Sequence, residues 1–231
     1  MLGWIIGIIA AAAVITTLDL LENNEIFDDD HETGADTGTG GAFPYEGIEA
    51  LSMDIPVEFT KEDEARADMA ICEIKGLLGK KPVKTLCEME AEDRIAAAKE
   101  LYRRLCTIFS LDIQLEFGEG CNGNCGCYCN CTKSMWLDYR YLLSDKAEYI
   151  RIFLDTVIHE LRHGMQYHFI MDSAYNGVEE DYRRRMTANL HPSVYVSFQE
   201  KPELYYKQLC ERDAAAYAAR VMENLTGGEE E

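Results

Sequence analysis

The residues with the clearest chemical potential are His159, Glu160 and His163, in the run His159-Glu160-Leu161-Arg162-His163. On a helix, side chains four apart share one face, with Cβ atoms about 6 Å apart. Two imidazoles so placed reach one metal ion through zinc–nitrogen bonds of about 2.0–2.1 Å. Glu160 lies about 100° further round the helix, off the metal-facing line but within reach of a water held there. Zinc lowers the pKa of such a water to about 7, and a neighbouring carboxylate takes its proton. The expected chemistry is zinc-dependent peptide-bond hydrolysis, with His159 and His163 as ligands and Glu160 as general base. The pattern fixes only three positions. Its plain alternative is two histidines sharing a helix face with a solvated glutamate.

A catalytic zinc takes three protein ligands and keeps one open position. Glu211 is the favoured third ligand. It stands in Cys210-Glu211-Arg212-Asp213-Ala214-Ala215-Ala216-Tyr217-Ala218, whose alanines let one helix pack closely on another. Asp213 is its rival. Two residues apart on a helix point to different sides, so Asp213 is expected to support a ligand or to form an ion pair. Glu203, His168 and His191 are weaker candidates. A donor to the tetrahedral oxyanion is also expected. Tyr167, Tyr195 and His191 all qualify by residue type, and the sequence does not choose among them.

The HELRH run with Gln166 three residues on, followed by YYKQLCERDAAAYA from Tyr205 to Ala218, resembles small bacterial and phage-type zinc metallopeptidases of the gluzincin group. Their pattern is HELRHxxQ, then a tyrosine-containing stretch leading to P-x-E-x-D-A. His159, Glu160, Arg162, His163, Gln166, Glu211, Asp213 and Ala214 match it, and Leu209 stands where proline is usual. The resemblance covers roughly residues 110–220. It implies a compact α+β, zincin-like domain with a small sheet whose edge could hold an extended peptide or protein substrate. It does not cover the N-terminal run, the linker or the cysteine cluster.

The elements that must position these residues follow from periodicity. Thr60 followed by Asp63 reads as an N-cap, with helical spacing over Ala65–Leu78 ending at Gly79. Ala91–Phe109 repeats the helical pattern. Asp112–Phe117 alternates as a strand does, and Ser134–Tyr141 reads as a second strand. Asp145 with Glu148 fits a capping box opening a long amphipathic helix that carries the HExxH residues. Asp172–Ser197 looks irregular. A last helix is expected from Pro202 to about Leu225, stopped by Gly227 and Gly228.

The zincin-like domain is assigned to residues 48–228 of the 231. Residues 1–21 carry an uncharged run, Leu2 to Leu18, that suits a membrane anchor or a cleaved signal, with a buried or partner-packed helix as the further alternative. This points to a membrane-anchored or secreted protein, with a cytoplasmic one left open. Residues 22–47 are acidic, rich in Gly and Thr, and without apolar period, as in a flexible linker. His31 sits there beside Asp28, Asp29 and Asp30.

Nine cysteines occur, and five crowd into a loop at 121–131: Cys121, Cys125, Cys127, Cys129 and Cys131. The loop falls where a connection between two strands is expected. Alternate thiols on an extended segment point to one side, so the loop suits disulfides or a second, soft metal, with free thiols as the remaining reading. The net charge of −20 excludes nucleic-acid binding as a primary role. Arg183, Arg184 and Arg185 then read as a solvated face. The competing functional reading is a zincin-like binding, adaptor or metal-sensing protein without catalysis. Glu160, which a pure binder would not need, favours the enzyme.

Overall fold

The structure, a computed structural model, describes residues 56–119, 125–171, 179–191, 194–196 and 201–226. The apolar run, the acidic linker with His31, and Cys121 lie outside these residues. No helix among the described residues is long and apolar enough to cross a membrane.

Among the described residues the chain is α+β, mostly helical, with one small sheet. In order the elements are α1 (Lys61–Leu78), α2 (Pro82–Glu88), α3 (Ala91–Phe109), β1 (Gln114–Gly118), β2 (Gly126–Cys129), β3 (Ser134–Asp138), α4 (Tyr139–Leu142), α5 (Ala147–Met171), α6 (Glu180–Asn189), α7 (Pro202–Tyr205) and α8 (Leu209–Thr226). The expected cap of α1 is present as a full capping box. The Thr60 side chain accepts from the Asp63 backbone N–H at 3.0 Å, and Asp63 accepts from the Thr60 backbone N–H at 3.0 Å. Two orphan donors at the helix start are thereby satisfied.

Several expectations need correction. The cysteine segment is itself a strand, β2, rather than only a connection, and β3 separates it from β1 in the sheet order β1-β3-β2. β1 and β3 run parallel and β2 and β3 antiparallel. The expected second strand ends at Asp138, whose side chain accepts from the Arg140 backbone N–H and turns the chain into α4. The long helix opens at Ala147, two residues beyond Asp145, and Ser144 Oγ accepts from the Lys146 backbone N–H. Part of the stretch read as irregular is α6, with Arg184 and Arg185 both pairing with Asp181 on an exposed helix face. The last helix is two elements: a short α7, and α8 beginning at Leu209.

Helix α5 is the axis of the core. Between Ile152 and Gln166 nearly every side chain is buried, apolar or not. Two glycines allow close approach to it. A Cβ on Gly126 of β2 would meet Thr156 Cγ2 at 2.9 Å, Leu137 Cδ2 at 2.6 Å and the Trp136 carbonyl oxygen at 2.9 Å. A Cβ on Gly164, one residue past His163, would meet Ile113 Cδ1 at 2.8 Å and Leu111 Cδ1 at 3.1 Å. Hydrogen atoms are therefore required where the sheet and the segment leading into it press on α5.

Buried charge ties the helices together. Arg162 on α5 is 1% exposed. Its Nε and Nη2 donate to Asp213 of α8 at 2.7 and 3.0 Å, and its Nη1 donates to Asp63 of α1. Its guanidinium carbon lies 4.7 Å from the Tyr217 ring centroid and 5.5 Å from that of Phe59. One side chain thus joins α1, α5 and α8 through a fork geometry that lysine cannot reproduce.

Two substitutions test this packing. Gly126→Ala should destabilise by about 1–3 kcal/mol through overpacking. Asp213→Ala removes the acceptor shared by Arg162 and its neighbours, and should cost about 3–5 kcal/mol, because one member of a buried pair is left behind. Urea unfolding monitored by circular dichroism reads both, and an unchanged midpoint for either refutes the corresponding contact.

Candidate metal centre

His159, Glu160 and His163 occupy the buried stretch of α5, and Glu211 lies in the first turn of α8. The relative placement of these helices is fixed by the Arg162 fork, since Asp213 is two residues from Glu211. Leu209, the departure from the usual proline, is the first residue of α8 and touches none of the ligand positions by identity.

The structure brings His159, His163 and Glu211 together, all buried, in a group that could hold a metal ion. His159 Nε2 and His163 Nε2 are 3.0 Å apart. Glu211 Oε2 is 3.6 Å from the first and 3.7 Å from the second. Tetrahedral ligands about 2.0–2.2 Å from an ion stand about 3.3–3.6 Å from one another; the observed separations of 3.0, 3.6 and 3.7 Å bracket that spacing, with the two imidazoles closer together than a bound ion would hold them.

The surroundings orient each ligand. His163 Nδ1 is 2.9 Å from Gln166 Oε1. The Gln166 amide nitrogen donates to Asp213 Oδ2 and to the Cys210 carbonyl, both at 2.8 Å. This fixes the amide so that its oxygen accepts from His163 Nδ1–H, which leaves the Nε2 lone pair for a metal. Asp213 also accepts from the Tyr182 hydroxyl at 2.8 Å. It is therefore the ion-pairing and supporting residue, and not a ligand. Glu211 is held at both oxygens: Tyr195 donates to Oε1 at 2.9 Å and Tyr205 to Oε2 at 2.8 Å. Tyr205 was not singled out in the sequence. Its signal is weak, a tyrosine six residues before the ligand, across the break between α7 and α8. His159 Nδ1 has no hydrogen-bond partner. Asp155, one turn earlier, is pushed up to about 6 by burial, against the pull of His159 and Arg151.

The electrostatics favour a cation. Burial alone would raise the Glu211 pKa, yet His163 and His159 hold it well below the usual carboxylate range. Burial would lower that of His163, but Glu211, Glu160 and the Gln166 oxygen hold it up at about 9. A positive charge, whether proton or metal, is stabilised between these groups.

Glu160 is different. It is 1% exposed, and neither carboxylate oxygen has a hydrogen-bond partner. Burial raises its pKa and the charge of Glu211 adds to this, while His159, His163 and the nearby Tyr128 backbone N–H of β2 work in the opposite direction. An unsatisfied buried carboxylate costs stability and commonly marks a working group.

Of the other candidates, Tyr195 reaches the site through Glu211, and Tyr167 packs against Tyr128 with ring centroids 6.0 Å apart. His168, His191 and Glu203 do not belong to the convergent group. No protein-family model, curated protein or solved structure matches the chain.

Metal content gives the first test. The wild-type protein should hold one equivalent more of metal than His163→Ala, by elemental analysis under reducing conditions. Equal content in the two proteins refutes the site. Below about pH 9, metal must displace the proton held at His163, so apparent affinity should fall about tenfold per unit as pH drops toward 7. A pH-independent affinity over that range would refute the assigned ligation.

Proposed function

We propose that the protein is a zinc-dependent peptidase with a zincin-like domain of the gluzincin kind. The observation that carries this reading is Glu160: a buried carboxylate without a hydrogen-bond partner, beside three convergent ligand atoms. The donor set of two imidazole nitrogens and one carboxylate oxygen, which leaves one of four tetrahedral positions to a non-protein ligand, suits catalytic zinc. When bound, zinc would acidify water and polarise a carbonyl.

The residues of the chain divide the remaining work. His159, His163 and Glu211 hold the ion. Gln166 keeps His163 in the required tautomer, and Asp213 and Arg162 keep Gln166 and α8 in place. Glu160 takes the proton from the attacking water and returns it to the departing amine, a transfer that its raised pKa assists. The Tyr205 hydroxyl sits on the ligand oxygen nearest both histidines, and burial together with the Glu211 charge keeps it protonated. With an ion on that oxygen, the hydroxyl's single proton could turn from Glu211 to an oxyanion beside the ion, and Tyr195 would stay on the other carboxylate oxygen. Strand β2 is an edge strand packed against α5, and an extended peptide laid along it would come past Glu160. That arrangement favours cleavage within a chain. Residues 2–18 would tether the enzyme at a membrane or direct its export.

Glu160→Gln should abolish hydrolysis of a quenched-fluorescence peptide library, at least about 10²-fold, with metal content unchanged. Retained hydrolysis sinks the peptidase reading. Absence of hydrolysis in zinc-loaded wild type across the library would leave the non-catalytic binding reading in its place. Tyr205→Phe should lower kcat by about 10²–10³-fold with little change in KM or metal content. An unchanged kcat would remove Tyr205 from the reaction.

A further inference from the structure

Six of the eight described cysteines are separated from chemistry by position or burial, or stand on separate helices. Cys125 and Cys127 are buried within or beside β2, and Cys106 and Cys210 are buried in the helical core. Cys72 and Cys87 lie on α1 and α2. Cys129 and Cys131 differ. Cys129 is the last residue of β2, half-buried and in register with Ser134. Cys131 is exposed in the four-residue turn, 130–133, that leads into β3.

The turn is built around the residue between them. Asn130 Oδ1 accepts from the Tyr128 hydroxyl at 3.2 Å and from the Lys133 ammonium. Lys133 adopts a left-handed backbone with φ of 51°, and its side chain folds back over the turn. Thr132 Oγ1 and Ser134 Oγ lie 2.7 Å apart and close the other side. The two thiols flank a pinned residue on a chain that is reversing. Residues two apart stand at most about 7 Å apart at Cα, and a disulfide requires about 4.4–6.8 Å. The Cys131 pKa is raised first by partial burial and then by the charge of, and hydrogen bond with, Cys129, while Lys133 lowers it. The two sulfurs therefore already sense one another, and these surroundings together hold the Cys131 thiol above its ordinary pKa, so exchange quickens as pH rises.

We propose that Cys129 and Cys131 form a reversible dithiol–disulfide pair that exchanges with small-molecule disulfides. This site is independent of the peptidase reading. The exposed Cys131 thiolate attacks one sulfur of a small disulfide and expels a thiolate. The Cys129 thiolate then attacks the Cys131 sulfur of the mixed disulfide and expels the second. The two cysteines lose two electrons and two protons, and the small disulfide leaves as two thiols. A ring spanning one intervening residue is tight and exposed, and such disulfides are the readily reduced ones. Because Tyr128 adjoins Cys129 and its backbone N–H lies by Glu160, the pair closes at the end of the strand that borders the metal centre.

The test uses the reduced full-length protein in mixtures of oxidised and reduced glutathione, quenched with iodoacetamide and digested for mass spectrometry. The expected result is a peptide carrying Cys129 and Cys131 that has lost two hydrogens, resists alkylation, and regains it when reduced glutathione is raised. Cys129→Ser should lose that species and accumulate a glutathione adduct on Cys131, and Cys131→Ser should lose it as well. Alkylation of both cysteines at every ratio would overturn the proposal. So would pairing of either with another cysteine such as Cys121 or Cys127. The wild-type measurement decides alone should either variant fold poorly.

Discussion

The fork of Arg162 between Asp63 and Asp213 is the constraint on which the rest of the structure depends. A guanidinium with almost no access to water is tolerable only when its charge and its donors are met. Asp63 meets it from α1, Asp213 from α8, and two aromatic rings cover its faces. The requirement is geometric as well as energetic. A planar fork accepts its carboxylate in few orientations, so α8 is held at a set rotation and height against α5. Glu211 then falls opposite His159 and His163. The spacing of the three candidate ligands is inherited from an ion pair that touches none of their donor atoms.

Polar satisfaction is uneven around this pair, and the unevenness is informative. Asp213 accepts from three side chains. Gln166 uses both its oxygen and its nitrogen. Glu211 has a tyrosine hydroxyl on each oxygen. Against that background the bare carboxylate of Glu160 and the unpartnered His159 Nδ1 stand apart. The chain spends its buried hydrogen bonds on holding ligands still, and leaves without a partner the carboxylate assigned to proton transfer.

Much of the site was legible because local spacing carried it. HExxH on an amphipathic segment specifies a helix and a metal-facing pair, and Thr60 with Asp63 specifies a helix start. Other parts were hidden for identifiable reasons. β2 reads Gly-Cys-Tyr-Cys and is buried on both faces, so no polar–apolar alternation marks it as a strand. α6 is dominated by charge, and its helical form is visible only in the pairing of Arg184 and Arg185 with Asp181. The break before α8 carries no glycine, so a single helix from Pro202 was the natural reading. The partnership of Asp63 with Arg162 spans 99 residues, and no local pattern announces it. Tyr205 lies across the break from Glu211, where helical spacing cannot predict contact. The apolar start and the linker belong to residues outside those described.

The distances along the chain between these partners have a consequence for the newborn protein. Tyr217 bonds back to the Asp63 carbonyl across 154 residues, and the Arg162 fork closes only when α8 is present. Such long-range contacts form late, after much loop-closure entropy has been lost. During synthesis α1, α3 and the sheet emerge first, and α5 presents its two histidines before Glu211 has left the ribosome. A chain interrupted anywhere before α8 therefore lacks one member of the candidate metal group and the Asp213 half of the Arg162 fork, which leaves it open to degradation. Completion of α8 is the step that closes the Arg162 fork and assembles the candidate group.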